Sequence, residues 1–512
     1  MNSTKKKLAV GIDLGTTYSV VAYLNATGRP ETVPNTEGDL LTPSLVMIDG
    51  AETIIGKEAA KAMSTDLKKI AESPKRQVGQ RVYDKVIEGR RYPPEAFQAW
   101  ILHKLCKDAS TKIGEFDKAV VTVPAYFDEV RRKSTQDAGY IAGLDVIDII
   151  NEPTAAAVAY GVKQGFLNEQ GKADQKIRAL VYDLGGGTFD VTVMEIHGDQ
   201  FRTIATDGDY KLGGRDWDNR LVDYCASEFI REHGLDPREF DESLGRMLRD
   251  CQDAKETLST RDKASISCAC GNKSKRIEVT KEQFEEMTID LVERTAFTTR
   301  STLQAAKMTW NDIDRVLLVG GSTRMPMVRE MLMELSGKKL DESLSPDEAV
   351  AHGAAIRAGI LLDDLKALDF KPRIKNVNSH SLGVIAKDIE TGEGRVVTII
   401  PRNTQLPVVG KRVFKTHRPD QESILVQIVE GESPAPQHCS QVGRCSIWDI
   451  PEKLPVGTPV EVSFGYQENG RLQVTVQVGD HNPFKQEIQR PNSMTQEQLD
   501  SWRGYICGEE TE

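Results

Sequence analysis

Gly11-Ile12-Asp13-Leu14-Gly15-Thr16-Thr17-Tyr18-Ser19-Val20 and Tyr182-Asp183-Leu184-Gly185-Gly186-Gly187-Thr188-Phe189-Asp190-Val191 write nearly the same phrase twice, some 170 residues apart. Each copy is an apolar strand ending in Asp, a Gly/Thr turn without bulky side chains, and a second apolar strand, which predicts a hairpin with a bare turn. Turn glycines let backbone N–H groups converge on an anion, and a carboxylate just before the turn can hold a hydrated divalent cation. A single such turn is ordinarily only a turn. Its recurrence at the start of two halves of similar length points to an internal duplication with one site shared between the copies. Two such hairpins facing each other would grip a polyphosphate and its Mg²⁺ from both sides.

At 512 residues the chain exceeds what one hydrophobic core supports, so several domains are expected. A hydrophobic fraction of 39% and a charged fraction of 28% fit a water-soluble globular protein. The net charge of −11 argues against a general nucleic-acid binder, which needs a basic surface, and leaves Lys5-Lys6-Lys7 as a solvated end. No apolar run reaches membrane-spanning length, and no apolar core follows the N-terminal lysines, so no membrane partner and a cytoplasmic location are expected. The eight cysteines show no Cys-x-x-Cys and no neighbouring His pair, which argues for reduced thiols rather than zinc ligands. Cys268 and Cys270 share one face of an alternating strand.

From Leu8 to about Leu362, strands alternate with amphipathic helices. Val120–Val123, a helix from Asp128 to Ala142 stopped at Gly143, and Val146–Ile150 form a βαβ unit and imply a largely parallel sheet. Beyond about Phe370 the pattern turns to antiparallel β. Val460, Val462, Phe464 and Tyr466 alternate, Asn469-Gly470 supplies a turn, and Leu472 to Val478 alternate on the return. With the strand Ser423 to Val429, residues 379–485 read as a small β-sandwich. A charged, Pro-containing linker spans 365–378, after an α/β unit over 1–364. The tail 486–512 holds one short helix, with Thr495 and Gln498 at capping-box spacing before Leu499 and Trp502, and Gly504 expected to end it.

Three further constellations bear chemistry. Asn151-Glu152-Pro153-Thr154 runs off a strand end, with Pro153 in the first helical turn and Glu152 at the carboxyl edge of the sheet, where ligands of open α/β sheets bind. Gly320-Gly321-Ser322-Thr323-Arg324 is a strand-to-helix turn against which a flat base can lie, with Arg324 able to stack on a purine. Lys255 and Ser259 stand one helical turn apart, within reach of ribose hydroxyls.

The ordered motifs GIDLGTTYS, VTVPAYFDEVRRKST, INEPTAAAVAYG, VYDLGGGTFDV, LGGRDWDNR and LLVGGSTRMPMV, between Gly11 and Val328, closely resemble the 70-kDa heat-shock chaperone (DnaK-type) family. The resemblance implies an actin-like, two-lobed α/β ATPase followed by a small all-β sandwich, with ATP or ADP and Mg²⁺, and K⁺ as a further cation, at the bottom of a cleft. Matching positions assign Asp13 and Asp183 to Mg²⁺ through water. Gly15, Thr16, Thr17, Tyr18, Gly185, Gly186, Gly187, Thr188, Gly213 and Gly214 surround the phosphates, with Asp190 nearby. Lys75 and Glu152 orient the attacking water, and with Asp13, Asp183 and Thr188 make up the catalytic set. Lys255, Ser259, Gly320, Gly321, Ser322, Arg324 and Asp347 fall on the adenosine side. Phosphoryl transfer needs positioning and charge neutralisation more than covalent chemistry, which this set can supply.

The C-terminal region, with Ser381-Leu-Gly383-Val384, Ile399 to Thr404 and Ser423 to Glu432, resembles the peptide-binding part of that family, and Ile424, Val426 and Ile428 match its apolar groove. The resemblance implies a slowly hydrolysing chaperone for unfolded, extended apolar segments, with a J-domain co-chaperone and a nucleotide exchange factor as partners, acting as a monomer in stress response. Three departures stand out. Arg373-Ile-Lys-Asn376 replaces the leucine-rich linker, leaving one apolar residue, which argues against ATP-driven coupling and stimulation by J-domain partners. The helical lid is missing beyond the Thr495 to Tyr505 fragment, predicting fast client exchange. Gln252 and Glu256 differ on the nucleoside side, and Arg215 replaces a Glu after Leu212-Gly-Gly. Two rival readings are a nucleotide-binding scaffold that docks one dedicated partner, favoured by the linker, and a sugar kinase or actin-like filament protein, which the Asn151-Glu-Pro-Thr motif and the C-terminal strands disfavour.

Overall fold

The computed structural model describes residues 8–163, 173–362, 372–388, 391–419, 421–448, 450, 454–467, 471–486, 488, 490 and 492–508. Lys5-Lys6-Lys7, linker residues 365–371 and the Asn469-Gly470 turn lie outside them. The first half is a sheet in which β1 (Ala9–Asp13) pairs antiparallel with β2 (Tyr18–Leu24) and parallel with β3 (Lys118–Val123), which in turn pairs parallel with β4 (Asp145–Asn151). Strand Pro30–Thr32 adds to the far side of β2. The strands are apolar at successive positions because both faces are covered. Val10, Ile12 and Val121 face α1 (Pro94–Ile113) and α2 (Glu129–Ile141), while Ala9, Val120 and Ile150 face the other way, toward α3 (Glu152–Lys163). The Asp128 side chain caps α2 by accepting from Arg131 N at 2.9 Å, and Gly143 follows its end as expected.

The second half repeats the design. β5 (Ala173–Leu184) and β6 (Phe189–Gly198) form the second hairpin, β7 (Gln200–Asp209) extends it, and β8 (Arg315–Val319) pairs parallel with β5. Leu180, Tyr182 and Leu184 face a cluster with α4 (Gly214–His233), α5 (Asp241–Leu258) and α6 (Lys281–Ala305). Cys268 and Cys270 are buried in this cluster on one face of strand Lys263–Cys270. Ala179 and Val181 point the other way and share a central apolar layer with Ala9, Val120, α3 and α7 (Ala349–Leu361). The two halves therefore meet across two alanine-rich helices.

Arg373–Lys375 forms β9, parallel to Gln200–Arg202 of β7. The segment that stands where the family has its leucine-rich linker is thus paired with the second lobe. Arg373 N donates to Asp199 O at 2.7 Å. Arg373 also makes a two-pronged ion pair with Asp199, and Ile374, the single apolar residue, packs into the central layer. Asn376 Oδ1 then accepts from Thr154 Oγ1 of α3 at 3.1 Å.

Beyond it come two four-stranded antiparallel sheets. One runs β11 (Gly394–Ile400), β10 (Leu382–Lys387), β13 (Ile424–Glu430), β14 (Ser440–Ile447). The other runs β12 (Val408–Lys415), β15 (Pro459–Tyr466), β16 (Leu472–Val478), β17 (Phe484–Gln486). Their facing residues, among them Leu382, Val384, Val442, Phe464 and Val476, belong to one buried cluster. The sheets lie against the first two halves. Glu129 N donates to Glu430 Oε2 at 2.9 Å, Arg490 pairs with Glu129, Arg402 pairs with Asp207 at 3.0 Å, and His380 Nε2 donates to the Tyr126 carbonyl at 3.0 Å. Helix α8 (Gln496–Cys507) has the capping box expected from Thr495 and Gln498 but runs through Gly504 and stops at Gly508. Packing explains the extra turn, since Trp502 and Tyr505 lie 6.0 and 6.3 Å from Trp100 of α1 and Ile506 packs in the same cluster. The helix thus covers the first half rather than the C-terminal sheets.

Burial pushes Glu430 up to about 8, with the charge of Asp128 adding to the rise and the hydrogen bond from the Glu129 N–H opposing it, while the smaller Glu129 charge and Arg132 act in opposite directions. Burial holds His380 below its ordinary value, against Asp128 and Glu432. Docking that buries Glu430 takes up a proton wherever the exposed carboxyl is ionised, so its contribution is full below about pH 4.5 and is lost as pH rises toward 8. His380 acts in the opposite sense, disfavouring docking below about pH 6.5. The docked fraction, followed by energy transfer between labels on the two parts, is expected to fall between about pH 6.5 and 8, and Glu430→Gln to flatten that limb. A docked fraction unchanged across that range would contradict it.

Candidate functional site

The two hairpins place their carboxylates at equivalent ends. Asp13 lies opposite Val20 in the last pair before its turn, and Asp183 lies opposite Asp190, one pair before the Leu184–Phe189 pair that closes the second hairpin. Between the turns is a cavity of about 640 Å³. It is lined by Asp13, Gly15, Thr16, Thr17, Tyr18, Lys75, Glu152, Asp183, Gly185, Gly186 and Thr188 together with Lys255, Ser259, Gly320, Gly321, Ser322, Arg324 and Asp347. The residues singled out from spacing and resemblance therefore converge, although they come from both halves.

Gly187, Gly213 and Gly214 stand behind this wall instead of lining it. A Cβ on Gly213 would lie 2.5 Å from Gly187 N, and one on Gly187 would lie 2.3 Å from Thr16 Cγ2. These positions stack the start of α4 on the backbone of the second turn, and the second turn on the Thr16 side chain of the first. Gly214 N donates to Gly185 O at 3.0 Å and Arg215 N to Gly186 O at 2.8 Å. Ser322 Oγ ties in the last turn by donating to Gly185 O at 2.9 Å.

Helix α3 follows β4 without a loop, so Glu152 opens the helix at the sheet edge. Its Oε1 lies 2.5 Å from Lys75 Nζ, and both side chains are buried. Asp13 accepts from Thr122 Oγ1 at 3.0 Å and Asp190 from Tyr126 N at 2.9 Å. The other Asp190 oxygen, Oδ2, is buried with no hydrogen-bond partner among the described residues. Burial, then the charge of Glu152, pushes Asp13 up to about 7 despite Lys75. Burial, Glu152, Asp190 and Asp13 hold Asp183 well above the carboxylate range, and burial with Glu152 pushes Asp190 up to about 8. Asp13, Glu152, Asp183 and Asp190 thus crowd around one lysine, and this end of the cleft is short of positive charge. Among the described residues no group of three or more His, Cys, Asp or Glu side chains is placed to hold a metal ion directly. Two carboxylates at matching turn ends fit a cation held through its water shell.

Arg324 pairs with Asp347 at 2.5 Å, and Lys255 is held by Asp218 at 2.8 Å and the Gly214 carbonyl at 3.1 Å. Gln252 and Glu256, noted only as departures, line the cavity together and bond at 3.2 Å. Thr260, Met325 and Arg329 also line it without having been singled out, because they follow recognised motifs by a residue or a helical turn and carry no signature of their own. Ile424, Val426 and Ile428 lie elsewhere, 7%, 4% and 0% exposed in the core between the C-terminal sheets.

Comparison with known proteins agrees with this arrangement. The profile of the family described as Hsp70 protein matches residues 9–503. The proteins named Chaperone protein DnaK from Thermotoga neapolitana, Thermotoga petrophila and Thermotoga maritima are each 40% identical over 481 residues, covering 92% of this chain and 78% of theirs.

Gly213→Ala drives a Cβ into backbone that cannot move without separating the turns. The variant is expected to keep its circular dichroism spectrum and lose about tenfold or more in affinity for a labelled adenine nucleotide, the cost of a misplaced site rather than an unfolded one. Undiminished affinity would mean that this three-way contact does not shape the cavity.

Proposed function

The chain belongs to the Hsp70 family, and from that premise we propose that the cleft between its two hairpin turns is where it binds and hydrolyses Mg-ATP. It is an ATPase and an ATP-dependent molecular chaperone, and its N-terminal halves are the actin-like lobes of the family. The observation that carries the site assignment is the convergence of both turns on the buried Lys75–Glu152 pair within one cavity. We assign the ATPase to residues 1–364, the linker to 365–378, a substrate-binding β-sandwich to 379–485 and the tail to 486–512.

In this reading the backbone N–H groups of both turns, with Thr16, Thr17 and Thr188, cradle the phosphates. A Mg²⁺ held through water by Asp13 and Asp183 would neutralise phosphate charge, and K⁺ is a further cation for the same acidic end. Lys75 and Glu152, already in contact, hold the attacking water in line, Glu152 accepting its hydrogen bond while Lys75 keeps that carboxylate oriented. Gly320, Gly321 and Ser322 lie along the base, Arg324 covers it, and Lys255 and Ser259 face the ribose. Asp347 steadies Arg324.

The C-terminal sandwich takes extended apolar segments of unfolded polypeptide, with Ile424, Val426 and Ile428 as its apolar floor. Because these three are buried, a client side chain reaches them only when the sheets part at that end, which links access to the docked interface. Asn376, bonded to Thr154 two residues from Glu152, gives the linker a direct purchase on the catalytic helix. A J-domain co-chaperone and a nucleotide exchange factor fit such a cycle, carried out by a monomer in the cytoplasm. No described helix is long and apolar enough to cross a membrane. A scaffold without a client cycle is not favoured, since it would have no use for the buried lysine–carboxylate pair.

Lys75→Ala and Thr188→Ala are each expected to slow single-turnover hydrolysis by about 100-fold or more while ATP still binds, as befits groups that position the reaction. Loss of binding with an unchanged chemical rate would reverse those roles. An unfolded apolar peptide is expected to accelerate hydrolysis by the intact chain, and Asn376→Ala to remove that acceleration but not the basal rate. Indifference of the intact chain to peptide would refute the client-gated cycle.

A further inference from the structure

Arg215 stands on the second lobe, in the first turn of α4, yet its guanidinium is spent on the first lobe. It pairs with Glu72 and donates to Ser73 Oγ at 3.0 Å. Arg76 reaches the opposite way, from the first lobe to the second, with a two-pronged pair to Asp216 at 2.5 and 3.3 Å and a bond from its Nε to the Gly187 carbonyl at 2.9 Å. Lys75 sits in the turn between these two crossings. The turn is itself constrained: Ser73 has φ +53°, a left-handed conformation unusual for a residue with a Cβ, and Pro74 follows it. Glu72 is anchored from behind, because Tyr83 Oη donates to its carbonyl at 2.7 Å and accepts from its N–H at 3.0 Å. All four side chains of the two crossings are largely shielded from water, the most open being Arg215 at 26%.

We infer that Arg215 is a positioning residue that clasps the two lobes across the Lys75 turn and so limits the release of nucleotide. The inference rests on the reading that the cleft holds the nucleotide. Arg215 N is bonded to Gly186 O of the phosphate-binding turn, so its side chain connects that turn, through α4, to the segment carrying the catalytic lysine. For the lobes to swing apart at this end, the Glu72 and Ser73 contacts must break. A charged pair in this partly dry setting is stronger than one in open solvent and falls apart as a unit.

The test is the release of fluorescently labelled ADP from the full chain, chased with unlabelled ATP. Arg215→Ala is expected to speed release about tenfold, and Glu72→Gln to do the same, as the loss of one partly buried charged pair would. The double variant should release no faster than either single, because both remove the same interaction. Arg215→Lys keeps the charge but cannot serve both acceptors, so it should fall between wild type and Arg215→Ala. Should Arg215→Ala fail to fold, Glu72→Gln, which leaves α4 untouched, carries the same prediction. Unchanged release in both single variants, or multiplied effects in the double, would overturn the clasp while leaving the nucleotide cleft standing. Failure of the wild-type chain to bind the labelled nucleotide at all would overturn the cleft reading and the clasp with it.

Discussion

The close contact of α3 with α7 is the constraint on which the rest of the molecule depends. Both helices are rich in alanine, and they form the layer in which the two lobes bury surface together. Small side chains allow that layer to be thin, so the turns of both hairpins reach one cavity. The same helix α3 begins with Glu152 in the cleft, continues with Thr154 against the linker, and further on sends Tyr160 to Asp341, bonded at 2.6 Å. Glu152, the Thr154 contact to the linker and the Tyr160 bond to Asp341 are thus parts of one helix.

The charge balance of the cleft follows from this geometry. Bringing two Asp-ended hairpins together beside Glu152 concentrates carboxylates in a dry place, which is costly unless positive charge arrives with the ligand. Among the described residues Lys75 is the cation in direct contact with this group, and it is paired with Glu152, while Arg132 lowers Asp190. Asp13, Asp183 and Asp190 are accordingly driven toward their protonated forms.

Much of this was legible in the residues. The repeated hairpin, the βαβ unit, the capped helix at Asp128 and the C-terminal alternation all rest on local patterns, and local patterns survive into the fold. Among the positions lining the cavity, the two hairpin turns, Glu152 and the Gly320–Arg324 turn carry local signatures, whereas Lys75 and Asp347 came only from the family resemblance. What could not be read were features decided at a distance. The linker lacks the family's leucines, yet strand pairing asks for backbone rather than leucine. Gly504 looked like a helix stop, yet aromatic packing on Trp100 carried the helix past it. Arg215 registered only as an oddity of charge, since its partner Glu72 is adjacent in space and not in sequence.

The placement of α8 has a consequence for the motion of the C-terminal sheets. They leave the ATPase at β9 and return to it at α8, so they form a loop closed at both ends on the same body. Sheets that undock stay within a small volume around their landing surface, and the second encounter is intramolecular, governed by an effective concentration rather than by diffusion from bulk. Redocking is then fast and independent of how much protein is present.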